Sequence, residues 1–178
     1  MSRRRQPALL FRSDASGDHG FGVCVNNIHI FGRWRDDLAP LIEHNMLFKE
    51  LLPFVISAVL LAPHFPGYVF GVSSDNAGMV FRTNAGSSRD SRVQRLLRLL
   101  ARQITVFGIT PLADWNHRSF ADAVHADKLS KIFSVAQWHD LQPRSPSTPG
   151  PSWIIDLILH DLTTGSITTA AFRIPAMH

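Results

Sequence analysis

The stretch that most restricts the fold is 46–61, where Leu47, Leu51, Phe54, Val55, Ala58 and Leu61 recur at helical spacing. Strand-length runs precede it, and another, YVFGVSSD at 68–75, follows it. A helix between strands is the usual crossover between parallel neighbours, whereas antiparallel strands need only a short turn. The early runs fit the second kind of connection. PALLFRSDAS ends its apolar part at Ser13-Asp14, and GFGVCV is built of small and branched residues. IHIFGRW then follows Asn26-Asn27, residues suited to a tight turn because Asn tolerates positive φ. Three antiparallel strands are expected.

The remainder alternates between the two periods. A short helix is expected over 76–81. The clearest helix lies in SRDSRVQRLLRLLARQITVF, with Val93, Leu96, Leu97, Leu100 and Ile104 on one stripe. Arg92, Arg95, Arg98 and Arg102 lie on its other side. ITPLADW, 109–115, reads as a short strand, and a last helix is expected over 121–133. This order predicts an α/β protein with a mixed five-stranded sheet, three antiparallel strands then two parallel, and helices on both faces. In such sheets the carboxyl ends of the central strands tend to build the site.

Composition shifts after Trp138. Residues 141–152, LQPRSPSTPGPS, hold four prolines with Ser, Thr and Gly, the mark of a linker. The predicted organisation is a body over 1–141, a linker over 142–152 and an appendage over 153–178. The appendage, containing WIIDLILHDL and ITTAAFRI, could form a β-hairpin. No internal repeat is visible. Truncation near Leu141 is expected to leave a folded body.

The composition also excludes several classes. Of 178 residues 45% are hydrophobic and 18% charged, which provides a core and rules out wholesale disorder. A lone cysteine, Cys24, leaves neither a disulfide framework nor a CxxC zinc site and favours an intracellular compartment, cytoplasmic or nuclear. As a residue of an alternating strand, Cys24 reads as a small core side chain. The run 48–65 is apolar but carries Lys49, Glu50, two prolines and His64, and is read as too interrupted to cross a membrane. The start, MSRRRQPALLF, is too briefly apolar for a signal peptide. A net charge of +4 leans toward an anionic partner.

Four carboxylates stand where this layout makes them interesting. Asp14 ends the first strand, Glu50 lies early in the first long helix, Asp75 ends the fourth strand and Asp127 lies on the last helix. Clustered carboxylates repel one another and are costly to desolvate alone. Divalent cations relieve that repulsion, and oxygen-only ligands suit Mg²⁺ or Mn²⁺. Two such ions can activate water and stabilise a departing phosphodiester oxygen. Taken singly, each acid reads equally well as a helix cap, turn residue or surface group.

SDASGDHGFGVCV, the GRW that follows, HNMLFKELLPFVISAVLL, GVSSDNAGMV and HADKLSK together resemble the RNase H domain that follows reverse transcriptase in retroelements, most closely the DIRS-like, tyrosine-recombinase-bearing elements. The likeness covers about 9–141. Its second acidic motif appears as Lys49-Glu50-Leu51-Leu52-Pro53, its third as Ser74-Asp75-Asn76, and its last as Ala126-Asp127-Lys128-Leu129-Ser130-Lys131. The resemblance implies an RNase H-like fold and hydrolysis of the RNA strand of RNA–DNA hybrids with two Mg²⁺ or Mn²⁺ ions. It carries the metal-binding role onto Asp14, Glu50, Asp75 and Asp127. The implied partners are the hybrid and a reverse transcriptase or other retroelement subunits, with no membrane. The sequence departs from the pattern before the last helix, where the usual HIPG gives way to Asn116-His117-Arg118-Ser119-Phe120, so that His117 survives but the Pro-Gly turn does not. The motif's final arginine is here Lys131. With the first strand so near the start, no reverse transcriptase is expected ahead of it in this chain.

Other residues carry weaker expectations. His117 and His125 are placed to assist leaving-group protonation, though loop histidines are usually only surface. Arg92, Arg95, Arg98 and Arg102 could follow a phosphate backbone or form an ordinary solvated face. Ser16, Gly17 and Asn76, beside the strand-end acids, could touch RNA through backbone and 2′-hydroxyl contacts. Trp34 and Trp115 read as packing or strand-end residues. The rival to an enzyme is a catalytically idle RNase H-like module that binds nucleic acid or scaffolds a larger complex.

Overall fold

The computed structural model describes residues 8–16, 20–25, 28–34, 42–115, 126–128, 130 and 131. Strands β1 (Ala8–Ala15), β2 (Gly20–Val25) and β3 (Ile28–Arg33) form an antiparallel meander. β4 (Val69–Ser74) lies parallel to β1, and β5 (Thr110–Trp115) parallel to β4. The order across the sheet is β3-β2-β1-β4-β5. β1 and β4 are therefore central, and their carboxyl ends point the same way. The mixed sheet expected from the order of apolar runs is present. The expected turn at Asn26-Asn27, the linker and the appendage lie outside the described residues.

Helix α1 (Met46–Leu61) packs on β1 and β2, with α3 (Ser91–Phe107) against it. Helix α2 (Ala77–Ala85) packs on β5 and β4. Apolar residues cover nearly every side of α1, and most of its length is buried, so it must lie in a core. Phe11 of β1 has no exposed surface and sits between Phe54 and Phe70, with ring centroids 5.3 and 5.1 Å away. Burying one such ring stabilises the fold by about 1.5–3 kcal/mol.

Lys49, Glu50 and Pro53 lie inside α1, as the helix expected over 46–61 requires. They do not make the stretch too polar for a membrane span, contrary to the weight given them in the sequence. Pro53 cannot donate to the carbonyl of Lys49, but its own carbonyl accepts the Ser57 hydroxyl at 2.8 Å. By length and hydropathy alone Met46–His64 is sufficient to cross a membrane. Burial of 72% of that stretch inside the fold makes it a core helix.

Side chains close the helix ends. Asn45 caps α1 by accepting from the Phe48 amide at 2.9 Å, and Asp90 caps α3 through the amides of Arg92 and Val93. The two caps are joined, Asn45 Nδ2 donating to Asp90 Oδ2 at 2.8 Å. Burial alone would raise the Asp90 pKa. Hydrogen bonds from the Arg92 side chain and from the Arg92 and Val93 amides outweigh it, with the Arg92 charge adding, and hold the carboxyl below the ordinary aspartate value. Gly86 and Gly108 end α2 and α3 in the left-handed region, at φ of 65° and 66°.

Two details differ from the expected pattern. Ile104 is 38% exposed, whereas Gln103 is buried with Leu99 and Leu100. The buried stripe of α3 drifts by one position over its last turn, and Gln103 keeps its amide satisfied by the Leu99 carbonyl at 3.5 Å. Helix α2 runs on to Ala85 rather than stopping at Phe81, because its stop signal is Gly86. Asn84, in its last turn, pairs with both the amide and the carbonyl of Ala113 on edge strand β5, at 2.9 and 2.7 Å. That occupies backbone groups a stray strand would otherwise seek.

Candidate functional site

Asp14 lies near the end of β1, half-buried. Asp75 is the first residue after β4 and is exposed. In the parallel pairing Arg12 lies beside Ser73. The pairing ends there, with Asp14 two residues further along β1 and Asp75 just past the end of β4. The backbone bends directly after Asp75, where the Asn76 amide donates to Ser74 Oγ at 3.0 Å. The Asn76 side chain then accepts from the Met79 amide at 3.0 Å and starts α2. Gly78 allows this cap, since a Cβ there would lie 3.1 Å from Asn76 Oδ1. The strand-end acid is thus held between a terminated strand and a capped helix.

Glu50 lies just beyond the first turn of α1 and is only 4% exposed. An ionised carboxylate at such a depth requires compensating partners, and Glu50 has polar or charged interactions within the fold. Asp127 lies in the short helical turn 126–128, of which Ala126 is fully buried. Its carboxylate pairs with Lys131 Nζ at 2.7 Å, both side chains about half exposed.

Ser130 connects this turn to β1. Its hydroxyl lies 3.0 Å from Asp14 Oδ2 and 2.8 Å from the Asp127 carbonyl oxygen, in a residue only 1% exposed. The contact spans 116 positions of sequence. Asp14 and Asp75 thus stand at the carboxyl ends of neighbouring parallel strands, and Ser130 ties the Asp127 turn to Asp14. Glu50 lies on a helix that packs against β1 and β2. Among the described residues no three of His, Cys, Asp and Glu are grouped tightly enough to hold a metal ion. The four expected ligands are all carboxylates, the donors a hard divalent cation prefers, but no three of them are gathered into one group.

The other expected residues fall variously. Ser16 clamps the loop after β1: its amide donates to the Gly20 carbonyl at 2.9 Å and its hydroxyl accepts from the Gly20 amide at 3.0 Å. Its carbonyl accepts from Trp34 Nε1 at 2.8 Å. Trp34 also rests on Phe21, with centroids 5.5 Å apart, so it is the packing residue expected. Phe21 in turn lies over Gly32, where a Cβ would meet the ring at 2.7 Å, which explains the glycine of GRW. Trp115 ends β5 and is 56% exposed, and Cys24 is buried. On α3, Arg95 and Arg98 are exposed, Arg102 is half-buried, and Arg92 pairs with Asp90 at 3.2 Å. Gly17, His117 and His125 lie outside the described residues, as does most of the helix expected over 121–133.

Two features escaped the sequence. Ser130 follows Asp127 by three residues, a spacing that brings its hydroxyl to the Asp127 carbonyl in a helical turn, but nothing local indicated Asp14 as its second partner. The joined caps Asn45 and Asp90 each look ordinary in their own segments. Comparison with protein-family models, with curated proteins and with solved structures finds no match to this chain.

Proposed function

We propose that this chain has an RNase H-like fold and hydrolyses the RNA strand of RNA–DNA hybrids, using a pair of Mg²⁺ or Mn²⁺ ions, in retroelement reverse transcription. The observation that carries the reading is that Asp14 and Asp75 stand at, or one residue past, the carboxyl ends of two adjacent, parallel strands inside the sheet. Sheet order and strand directions support it, as does the hydroxyl link from Asp14 to the Asp127 turn. The motifs around Glu50, Asp75 and Asp127 supply the rest.

On this reading Asp14 and Asp75 hold the ions from neighbouring strand ends, Glu50 from α1 and Asp127 from its turn. Bound divalent cations supply a more acidic water as attacking group and charge stabilisation at the departing 3′ oxygen. Lys131, paired with Asp127 at 2.7 Å, would neutralise that carboxylate when no ion is bound. Arg95, Arg98 and Arg102 offer positive charge to the hybrid's phosphates, and a partner polymerase is the natural source of further grip.

The test is metal-dependent cleavage of a labelled hybrid by the full chain. Cleavage of the RNA strand in Mg²⁺ or Mn²⁺ is expected, with little action on duplex DNA. Ca²⁺, which accepts looser and higher coordination, is expected to suppress it. Hybrid binding without cleavage in either metal would favour the idle binding module, and full activity in chelator would overturn the metal mechanism.

A further inference from the structure

We propose that Ser130 is a positioning residue that sets the orientation of the Asp14 carboxylate relative to Asp127, a role that rests on reading those two acids as metal ligands. A hydroxyl has one proton to donate, and Ser130 has two acceptors within reach, Asp14 Oδ2 at 3.0 Å and the Asp127 carbonyl at 2.8 Å. The second contact is made within one helical turn, so the backbone of that turn fixes where the hydroxyl sits. The first then reaches a carboxylate oxygen, not the backbone, of β1. It restricts rotation of that carboxylate as well as joining two segments.

Burial strengthens the effect. Ser130 is 1% exposed, so water does not readily replace the bond, and hydrogen bonds gain strength where water is excluded. The next residue, Lys131, holds the Asp127 carboxylate from the same turn at 2.7 Å. One turn of chain thus governs both acids. Groups that hydrogen-bond to metal ligands orient them, and removing such a group commonly weakens metal binding by about 10–100-fold. A serine that merely fastened the turn to the sheet would affect melting and leave ion affinity in the folded protein unchanged.

The experiment is Mn²⁺ affinity of the full chain, read by electron paramagnetic resonance, alongside thermal melting. Ser130→Ala is expected to weaken Mn²⁺ binding about tenfold or more, with Ser130→Thr recovering part of the loss. Ser57→Ala removes another buried hydroxyl, one that serves only the Pro53 carbonyl, and is expected to lower the melting temperature without changing affinity. Should Ser130→Ala fail to fold, Ser130→Cys keeps a similar shape with a weaker donor and is expected to weaken binding as well. Asp75→Asn is measured in parallel. If it weakens Mn²⁺ binding while the folded Ser130 variants bind like wild type, the positioning role is overturned and the metal reading stands. If the wild-type chain binds no Mn²⁺, or binds it as Asp75→Asn does, the metal reading falls and the positioning role falls with it.

Discussion

Asp90 and Asp14 are both partly buried acids tied to a distant segment by one side-chain hydrogen bond, yet their surroundings differ in kind. Around Asp90 the partners are two backbone amides, the Asn45 amide group and the Arg92 guanidinium. All are donors that a carboxylate needs, and together they depress its pKa. Asp14 accepts the Ser130 hydroxyl and stands at the end of a strand next to the one that leads into a second acid, Asp75. A protein seeking only stability has no reason to set two carboxylates at the ends of adjacent central strands. The first acid closes two helices and asks for nothing further. On the proposed reading the second is a ligand for a divalent cation.

The widest separation between the two regions is expected in catalysis. Asp14→Asn should reduce cleavage of a hybrid by about a thousandfold or more, near 4 kcal/mol of transition-state stabilisation, while Asp90→Asn should leave the saturated rate within a few-fold of wild type. Equal losses in single-turnover assays would erase the distinction. Both regions depend on the core between them. Phe11→Ala on β1 should lower stability by about 3–5 kcal/mol in urea unfolding, because it opens a cavity between Phe54 and Phe70.

A smaller effect sharpens the structural side. Asp90→Ala should cost about 1–2 kcal/mol as a lost cap, without changing the metal requirement. It should also change the response to acid. The folded pKa of Asp90 lies below its unfolded value, so between the two the unfolded chain binds more protons and stability rises with pH. The contribution is complete above the ordinary aspartate value and is lost as pH falls through the folded pKa. Wild type minus Asp90→Ala, compared by urea unfolding at neutral pH and below about pH 4, should shrink in acid. The smallest effect is expected on the arginine face. Arg95→Gln with Arg102→Gln should flatten the salt dependence of hybrid binding by roughly one unit of slope per lost phosphate contact. An unchanged slope would make that face an ordinary solvated one.

Much of the scaffold was legible because its signals are local. The bounds 46–61 of α1 followed from apolar residues at helical spacing, and those of β2 from a run of small and branched residues. Asp14 and Asp75 were recognisable as strand-end acids for the same reason. What was not legible depends on contacts between segments. Ile104 gave way to Gln103 because the position of α1 decides which side of the last turn of α3 is covered. Ser16 and Asn76, read as points of RNA contact, also serve as a loop clamp and a helix cap, roles their own segments did not announce. Ser130 and the Asn45–Asp90 link span 116 and 45 positions, distances over which a single sequence carries no pairing signal.

The most direct measurement is single-turnover cleavage of an RNA–DNA hybrid in Mg²⁺ by wild type and by Asp75→Asn, with both chains shown to melt at similar temperatures. Asp75 is exposed at a strand end, so its replacement should leave the fold intact while abolishing cleavage. A loss of tenfold or less, about 1.4 kcal/mol, would contradict the placement of the site at the ends of β1 and β4.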